Sequence, residues 1–280
     1  MTILSIQSAV AWGHVGNSAA VFALQRLGHE VVAVDTVQFS NHPGHPVWAG
    51  RSHDPAHVAE VLEGLDAGGV LAGCRAALSG YLGQAASGEA MLAAVARVKA
   101  ADRSAPYLCD PVMGDDGRLY VGPGIPELLA GPAVASADIV TPNRFELELL
   151  AGRSVATMAD AVAAARRVLA RGPKLVVATS LPGADGIVCA AITAEGAWAV
   201  ETPRLDFPEA VNGAGDLLAA LLLDRVLRGA EPPRALAEAV SSTWAVLEAT
   251  LAAGRRELAL VAAQDQLAAP SRRFEAAAVM

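Results

Sequence analysis

The sequence predicts an α/β protein in three layers, a mainly parallel sheet with helices on both faces. Three observations carry that expectation. Short apolar stretches of strand character alternate with longer helical stretches along most of the 280 residues. Hydrophobic residues make up 53% of the chain and charged residues 18%, enough apolar material for a large core, with aromatics at only 4%. No linker of useful length and no internal repeat divides the chain. Residues 1–280 therefore read as a single domain.

Residues 3–7 read as a buried strand and 8–16 as a loop, with Asn17 capping a helix over 18–27 that stops at Gly28. Residues 31–39 form the next strand. The polar stretch 40–54 carries Pro43, Pro46, His42, His45 and His53, and His57 follows shortly after. Those four histidines match no zinc-ligand spacing, so the stretch reads as a flap beside a ligand site. Helices are expected over 56–65 and 87–101, and strands over 76–79 and 107–109. A polar, glycine-rich loop spans 115–124, and a short helix follows it. A strand at 137–140, helices at 145–150 and 159–171, and a strand at 174–178 continue the alternation. The pattern then changes. Residues 187–193 and 198–201, joined through Glu195-Gly196, read as an antiparallel hairpin near one sheet edge. Helices are expected to Arg228, over 233–251 and over 257–267, with a loosely held tail from 270 to 280.

Charge and composition exclude several functions. The net charge is −8 and no Lys/Arg run supplies a nucleic-acid face; lysine occurs only at 99 and 174. No stretch reads as a membrane span, and the first residues lack the basic region of a signal peptide. Cys74, Cys109 and Cys189 are odd in number and far apart, which fits neither disulfides nor a zinc site. A reducing, cytoplasmic location follows as the default. The P-loop pattern Gly-x-x-x-x-Gly-Lys-Ser/Thr is absent.

The stretch Asn212-Gly213-Ala214-Gly215-Asp216, followed by the apolar run 217–223, reads as a tight turn opening a long helix. Free N–H groups at such an end, with the positive pole of the macrodipole, form an anion hole. A carboxylate at its rim suits phosphoryl transfer to an alcohol. A plain turn with an acid favoured by the dipole is the alternative. At the strand ends, where ligands bind in such sheets, fall Ser8, Asp110, Asn143, Glu146 and Thr179. Asp110 and Glu146 are suited to hold magnesium, directly or through water; as alternatives, Asp110 is a turn residue and Glu146 completes a capping box with Asn143. Residues 115–124 would form a lid that keeps water from the phosphoryl group, or an ordinary surface loop.

The motifs Ile6-Gln7-Ser8, Gly13-His14-Val15-Gly16-Asn17-Ser18-Ala19-Ala20, Thr36-Val37-Gln38-Phe39-Ser40-Asn41-His42, Ser79-Gly80-Tyr81-Leu82-Gly83, Asp110-Pro111-Val112-Met113-Gly114, Thr141-Pro142-Asn143 with Glu146, and Gly213-Ala214-Gly215-Asp216 occur in this order over essentially the whole chain. Together they resemble the bacterial pyridoxal kinases of the ribokinase-like superfamily. The resemblance implies phosphorylation of the 5′-hydroxyl of pyridoxal, with ATP as co-substrate and Mg2+; a K+ requirement stays open. It implies that Ser8 bonds the pyridine ring and that Tyr81, Pro43 and Gly44 pack around the vitamin. Asp110, Thr141, Glu146 and Thr179 would line the ATP–magnesium site, and Thr202, Pro203, Arg204 and Leu205 the adenosine. Asp216 would be the general base, with Gly213, Ala214 and Gly215 as the anion hole, in a homodimer. Bacterial relatives often carry lysine at the place of Thr179 and arginine at that of Thr202, so two cations are missing; Arg204 would compensate for one. A lost charged hydrogen bond costs about 1.5–3 kcal/mol. Three other readings remain. A hydroxymethylpyrimidine kinase is disfavoured by Asp216, where such enzymes usually have cysteine, and by the first-strand motifs. A sugar kinase lacks its acidic first loop here. A slow pyridoxal carrier is the reading outside enzymes.

Overall fold

The computed structural model describes residues 1–279. Its framework is a ten-stranded sheet. In chain order the strands are β1 (Thr2–Val10), β2 (Glu30–Phe39), β3 (Gly50–Ser52), β4 (Ala76–Ser79) and β5 (Tyr107–Cys109). A separate hairpin of β6 (Gly114–Asp115) and β7 (Arg118–Leu119) follows, then β8 (Ile139–Val140), β9 (Leu175–Pro182), β10 (Gly186–Ile192), β11 (Ala197–Pro203) and β12 (Ala277–Ala278). The spatial order is β12-β11-β10-β9-β8-β5-β4-β1-β2-β3. The six strands from β9 to β2 pair in parallel. Antiparallel pairs finish both edges, β9-β10-β11-β12 on one side and β2-β3 on the other.

A parallel sheet needs cover on both faces, so its strands read as nearly unbroken apolar runs. In β1 every residue after Thr2 is buried. Leu4 and Ile6 enter one core and Ile3 the other. The first core is closed by α2 (Pro55–Ala67), α3 (Val70–Gly73), α4 (Ser87–Ala101), α5 (Ile125–Leu128), α6 (Val134–Ser136), α7 (Arg144–Ala151) and α8 (Met158–Leu169). The second is closed by α1 (Asn17–Arg26), α9 (Ala214–Leu227) and α10 (Pro232–Ala252). Ala19, Ala20 and Ala23 of α1 are fully buried, and such small side chains let helices approach closely. Helix α9 is buried on nearly all sides from Leu217 to Arg225. Two polar residues break that run, and they pair with each other: Asp224 accepts from Arg225, from His29 Nε2 (2.7 Å) and from Arg228 Nε (2.8 Å), which satisfies its charge in the interior.

Two features of this topology position a site. Strands β1, β2, β4, β5, β8 and β9 all end at the same sheet edge, and β11, reversed twice from β9, ends there too. Sheet growth also changes direction at β1, with β2 on one side and β4 on the other. A crevice at such a switch point is where ligands bind in open α/β sheets.

Several expectations need correction. Strand β1 runs to Val10, so Ser8 lies in the strand, at an irregularity in its pairing with β2, and not in a loop. Asn17 does not cap α1; Gly16 holds that position. The Asn17 amide is drawn inside instead. Its oxygen accepts from Ser5 Oγ (2.7 Å), and its NH2 donates to Val34 O (3.2 Å) and Asp35 Oδ1 (2.8 Å). Residues 115–124 are not wholly loop, since the β6–β7 hairpin begins them. Residues 257–267 are turns ending in a short 3-10 helix (Gln264–Leu267). Their apolar residues Leu258, Leu260, Ala263 and Leu267 fill the second core. The tail is held as well: Phe274 meets Trp244 edge-on at 5.3 Å, Arg272 lies over both rings, and Ala277–Ala278 pairs with β11. Met280 lies outside the described residues.

Because the Phe274 ring is the centre of the aromatic contact that docks the tail, Phe274→Ala is expected to cost about 1–3 kcal/mol in urea unfolding, less than a fully buried Phe. An unchanged midpoint would show that the Phe274 contact contributes nothing.

Candidate active site

The turn before α9 is built around Gly213. Its φ is +92°, a left-handed conformation that favours glycine, and a methyl group there would overlap the carbonyl oxygen of His14. Gly213 is the N-cap of α9, and Leu217 N donates to its carbonyl at 3.0 Å. The N–H groups of Ala214, Gly215 and Asp216 therefore form the open, positive end of a 14-residue helix. Asp216, in the first turn, is half-buried. Loss of solvent raises its carboxyl pKa above the ordinary range, and a bond from Gly16 N–H partly offsets this. Gly16 is itself confined: its φ is +53° and a methyl would overlap the Ser8 carbonyl and hydroxyl. The first loop is thus wedged between the end of β1 and the start of α9.

Asp110, just after β5, is buried, and its Oδ1 accepts from Thr141 Oγ1 at 2.9 Å. Glu146, in the first turn of α7, is 3% exposed. It completes the capping box with Asn143: Glu146 N donates to Asn143 Oδ1 and Asn143 N to Glu146 Oε2, both at 2.9 Å. Its other oxygen accepts from Met113 N (2.9 Å) and Gly114 N (3.5 Å), while Asn143 Nδ2 donates to Gly114 O (2.8 Å). The cap of α7 therefore clamps the root of the β6–β7 hairpin. Burial raises Asp110 well above the carboxylate range, and the charges of Glu146 and Asp216 raise it further. Burial lifts Glu146 to about 7 against the pull of its three backbone N–H bonds. Tyr120, at the end of the hairpin, faces the same acids: burial and then the charges of Glu146 and Asp110 raise its phenol.

This donor set fits magnesium. Its side chains offer only oxygen, and its mutually repelling carboxylates gain from a divalent cation. Among the described residues no group of three or more His, Cys, Asp and Glu could hold a metal. Magnesium needs no such cage, because it keeps waters and shares phosphate oxygens. The histidines of residues 42–57 are spread over other tasks. His42 Nδ1 accepts from Gly44 N (3.0 Å), His45 reaches Glu257, and the rings of His53 and His57 lie 5.6 Å apart.

Ser8 is buried beneath Gly16. Gly80 follows β4, and a methyl there would overlap Gln7 Oε1. Tyr81 comes next; its carbonyl accepts from Thr36 Oγ1 (2.6 Å) and burial raises its phenol. The flap is closed at its base by Ser40 N donating to Ala49 O (2.7 Å). Its tip, Pro43-Gly44, lies over the turn before α9: a methyl on Gly44 would stand 3.3 Å from Asn212 Nδ2. On the other side of Asp110, Thr179 N donates to Pro142 O (2.9 Å), and Thr202 is buried at the end of β11. Pro203 is exposed, and its carbonyl accepts from Trp244 Nε1 (3.0 Å). Leu205 is half-buried. Arg204 is exposed and pairs with Asp206 at 3.7 Å, so its charge is already shared.

Comparison with known proteins decides the family. A pyridoxal kinase PdxY of Rubrobacter xylanophilus is 54% identical over 98% of this chain and 96% of its own. The chain belongs to the pyridoxal kinase family. A second PdxY pyridoxal kinase, of Deinococcus radiodurans, is 48% identical over 98% of this chain and 95% of its own. Among solved structures, pyridoxal kinase from Leishmania donovani in complex with ADP and pyridoxamine superposes with a TM-score of 0.93 at 30% identity, covering 100% of this chain and 99% of that one. The architecture is the ribokinase-like fold of these pyridoxal kinases. The family model for phosphomethylpyrimidine kinase matches residues 71–260. That span leaves out β1, the first loop and the flap, which the pyridoxal kinase relatives share with this chain.

Reading the sequence missed the residues that brace the site. His14 acts through its carbonyl, which no side-chain motif reports. Arg256 and Glu257 begin a stretch whose helical spacing concealed that it is a turn. Thr36 lies within the Thr36–His42 motif, but its bond to Tyr81 joins residues 45 apart.

Gly213→Ala is expected to lower both stability and turnover, because the methyl displaces His14; a variant with wild-type kcat would separate the turn from the chemistry. The acids also set a pH dependence. Glu146 titrates at about 7 in the fold, against about 4.3 unfolded. From about pH 4.5 to 7 the folded state binds more protons, so metal-free stability falls as pH rises through that window, by at most about 4 kcal/mol. Glu146→Gln is expected to flatten the slope in thermal unfolding with a chelator present; an unchanged slope would assign it to other groups.

Proposed function

We propose that this protein is a pyridoxal kinase that transfers the γ-phosphoryl group of ATP to the 5′-hydroxyl of pyridoxal. One observation supports it above the others: three carboxylates, Asp110, Glu146 and Asp216, act on one patch at the strand ends, beside the open N-terminus of α9. Membership of the pyridoxal kinases supplies the substrate class, and the relative crystallised with ADP and pyridoxamine supports nucleotide use.

In this reading Asp216 accepts the hydroxyl proton. Its carboxyl pKa, raised by burial, makes it a stronger base than an ordinary carboxylate. The amides of Ala214 and Gly215 in the first turn of α9, with that of the N-cap Gly213 beside them, receive the charge that develops on the transferred oxygens. Asp110 and Glu146 would hold magnesium, mainly through water, and the metal would supply charge neutralisation at the phosphates. Ser8 and Tyr81, with Pro43 and Gly44 of the flap over residues 40–54, would enclose the ring and exclude water. Thr141, Thr179, Thr202, Pro203, Arg204 and Leu205 would line the nucleotide. The chain works as one domain, as a homodimer in the cytoplasm. No helix among the described residues is long and apolar enough to cross a membrane.

The deciding experiment is ATP-dependent formation of pyridoxal 5′-phosphate by the purified protein, with hydroxymethylpyrimidine alongside. Magnesium-dependent turnover of pyridoxal is expected. Turnover of the pyrimidine alone would overturn the substrate. Asp216→Ala is expected to reduce kcat by at least about 100-fold, within the usual range for a general base, while pyridoxal still binds by titration. Near-normal turnover would remove Asp216 from the chemistry.

A further inference from the structure

Two consecutive side chains from the turn after α10 reach into the flap. Glu257 Oε1 accepts from His45 Nε2 at 2.5 Å, and both side chains are nearly buried, at 12% and 11% exposure. Arg256 donates to the carbonyl of Gly44 and pairs with Glu209, just ahead of the catalytic turn. Glu257 holds more than the flap. Its second oxygen accepts from His14 N (3.3 Å), and its backbone forms a parallel bridge with Asn212. A methyl on Gly13 would overlap its carboxylate, so the first loop lies directly against it. The carbonyl of the same His14 is the one that leaves no room beside Gly213. Trp12 closes the far side, its ring 5.4 Å from that of His45.

One residue thus joins three separate segments: its carboxylate holds the flap and the first loop, and its backbone holds the turn that carries the anion hole. A buried carboxylate needs its hydrogen bonds filled. With the flap down, His45 fills one oxygen, and the other stays on the His14 amide. Without His45, Oε1 would lose its protein partner, and the carboxylate, held only through Oε2 on the His14 amide, would be free to turn and to carry the His14 peptide with it. That peptide presses on Gly213, so its freedom becomes freedom of the helix N–H groups.

We propose that Glu257 is a positioning residue that couples flap closure to the geometry of the anion hole, with His45 as the flap's side of the latch. The inference rests on the kinase reading for its catalytic consequence, but the latch itself is a property of the unliganded protein.

The test uses His45→Ala, His45→Gln, Glu257→Ala and the double variant His45→Ala/Glu257→Ala. Two readouts are taken: hydrogen exchange of residues 40–49 without ligand, and steady-state kinetics with pyridoxal and ATP. His45→Ala is expected to speed flap exchange and to lower kcat by about tenfold, a modest share of what a misplaced site can lose, with the KM for ATP little changed. His45→Gln keeps an N–H donor and is expected to recover most of both. In flap exchange the double variant is expected to be no worse than Glu257→Ala, the mark of two residues sharing one interaction. If Glu257→Ala does not fold, the two His45 variants carry the test alone. Wild-type exchange and kcat in His45→Ala would overturn the latch. Faster exchange with an unchanged kcat would overturn the coupling. A wild-type protein that does not phosphorylate pyridoxal would overturn the kinase reading and leave the exchange result to judge the latch.

Discussion

The contact between the His14 carbonyl and Gly213 is the constraint on which the site depends. Gly213 must be glycine for two independent reasons, a φ of +92° and a neighbour that leaves no space for a methyl. The contact fixes the direction of the α9 N-terminus, and with it where Asp216 and the free amides point. It also fixes the first loop, because the next glycine, Gly16, is packed equally tightly against Ser8. The end of β1, the first loop and the start of α9 are therefore a single packed unit, in which a shift of one residue is felt by the others.

Against this rigid turn stands a patch of charge that the fold would not choose for stability. Asp110, Glu146 and Asp216 all have carboxyls raised above their ordinary range, with burial as the main cause. Burial with like charges nearby destabilises the folded state, a cost that concentrates where titratable groups do chemistry. Local backbone bonds limit it. Glu146 takes three N–H groups from the α7 cap and the hairpin root, so a residue fit to sit near a metal is also the hinge of the hairpin above it. The Asn143–Glu146 capping box and the proposed metal role are thus compatible uses of one side chain.

Much of the fold was legible because the parallel sheet imposes a simple pattern. Helix α4 and strands β4 and β5 have the bounds their residues predict, since their neighbours in sequence are turn formers and their neighbours in space are apolar. The failures have one cause. In residues 257–267 the apolar spacing imitates a helix, yet Leu258, Leu260 and Leu267 fill the core as irregular turns. Asn17 precedes a helix like a cap, but Ser5, Val34 and Asp35 offer its amide better partners from two strands. Strand pairing also extends β1 through Ser8, which local composition alone assigns to a loop. In each case partners distant in sequence overrode a local preference.

The sequence by itself determined the α/β class, the order of the central elements, the glycine turn before α9 and the acids at the strand ends. Each of these follows from local periodicity, from turn chemistry or from a short motif. Tertiary structure alone decided that the flap tip meets Asn212, that Glu146 anchors the β6–β7 hairpin, and that Arg256 and Glu257 brace the site from more than 200 residues away from the flap. These contacts run between segments that share no local pattern. They exist because sheet pairing brings the ends of many strands to one edge, where side chains meet whose spacing along the chain records nothing of their proximity.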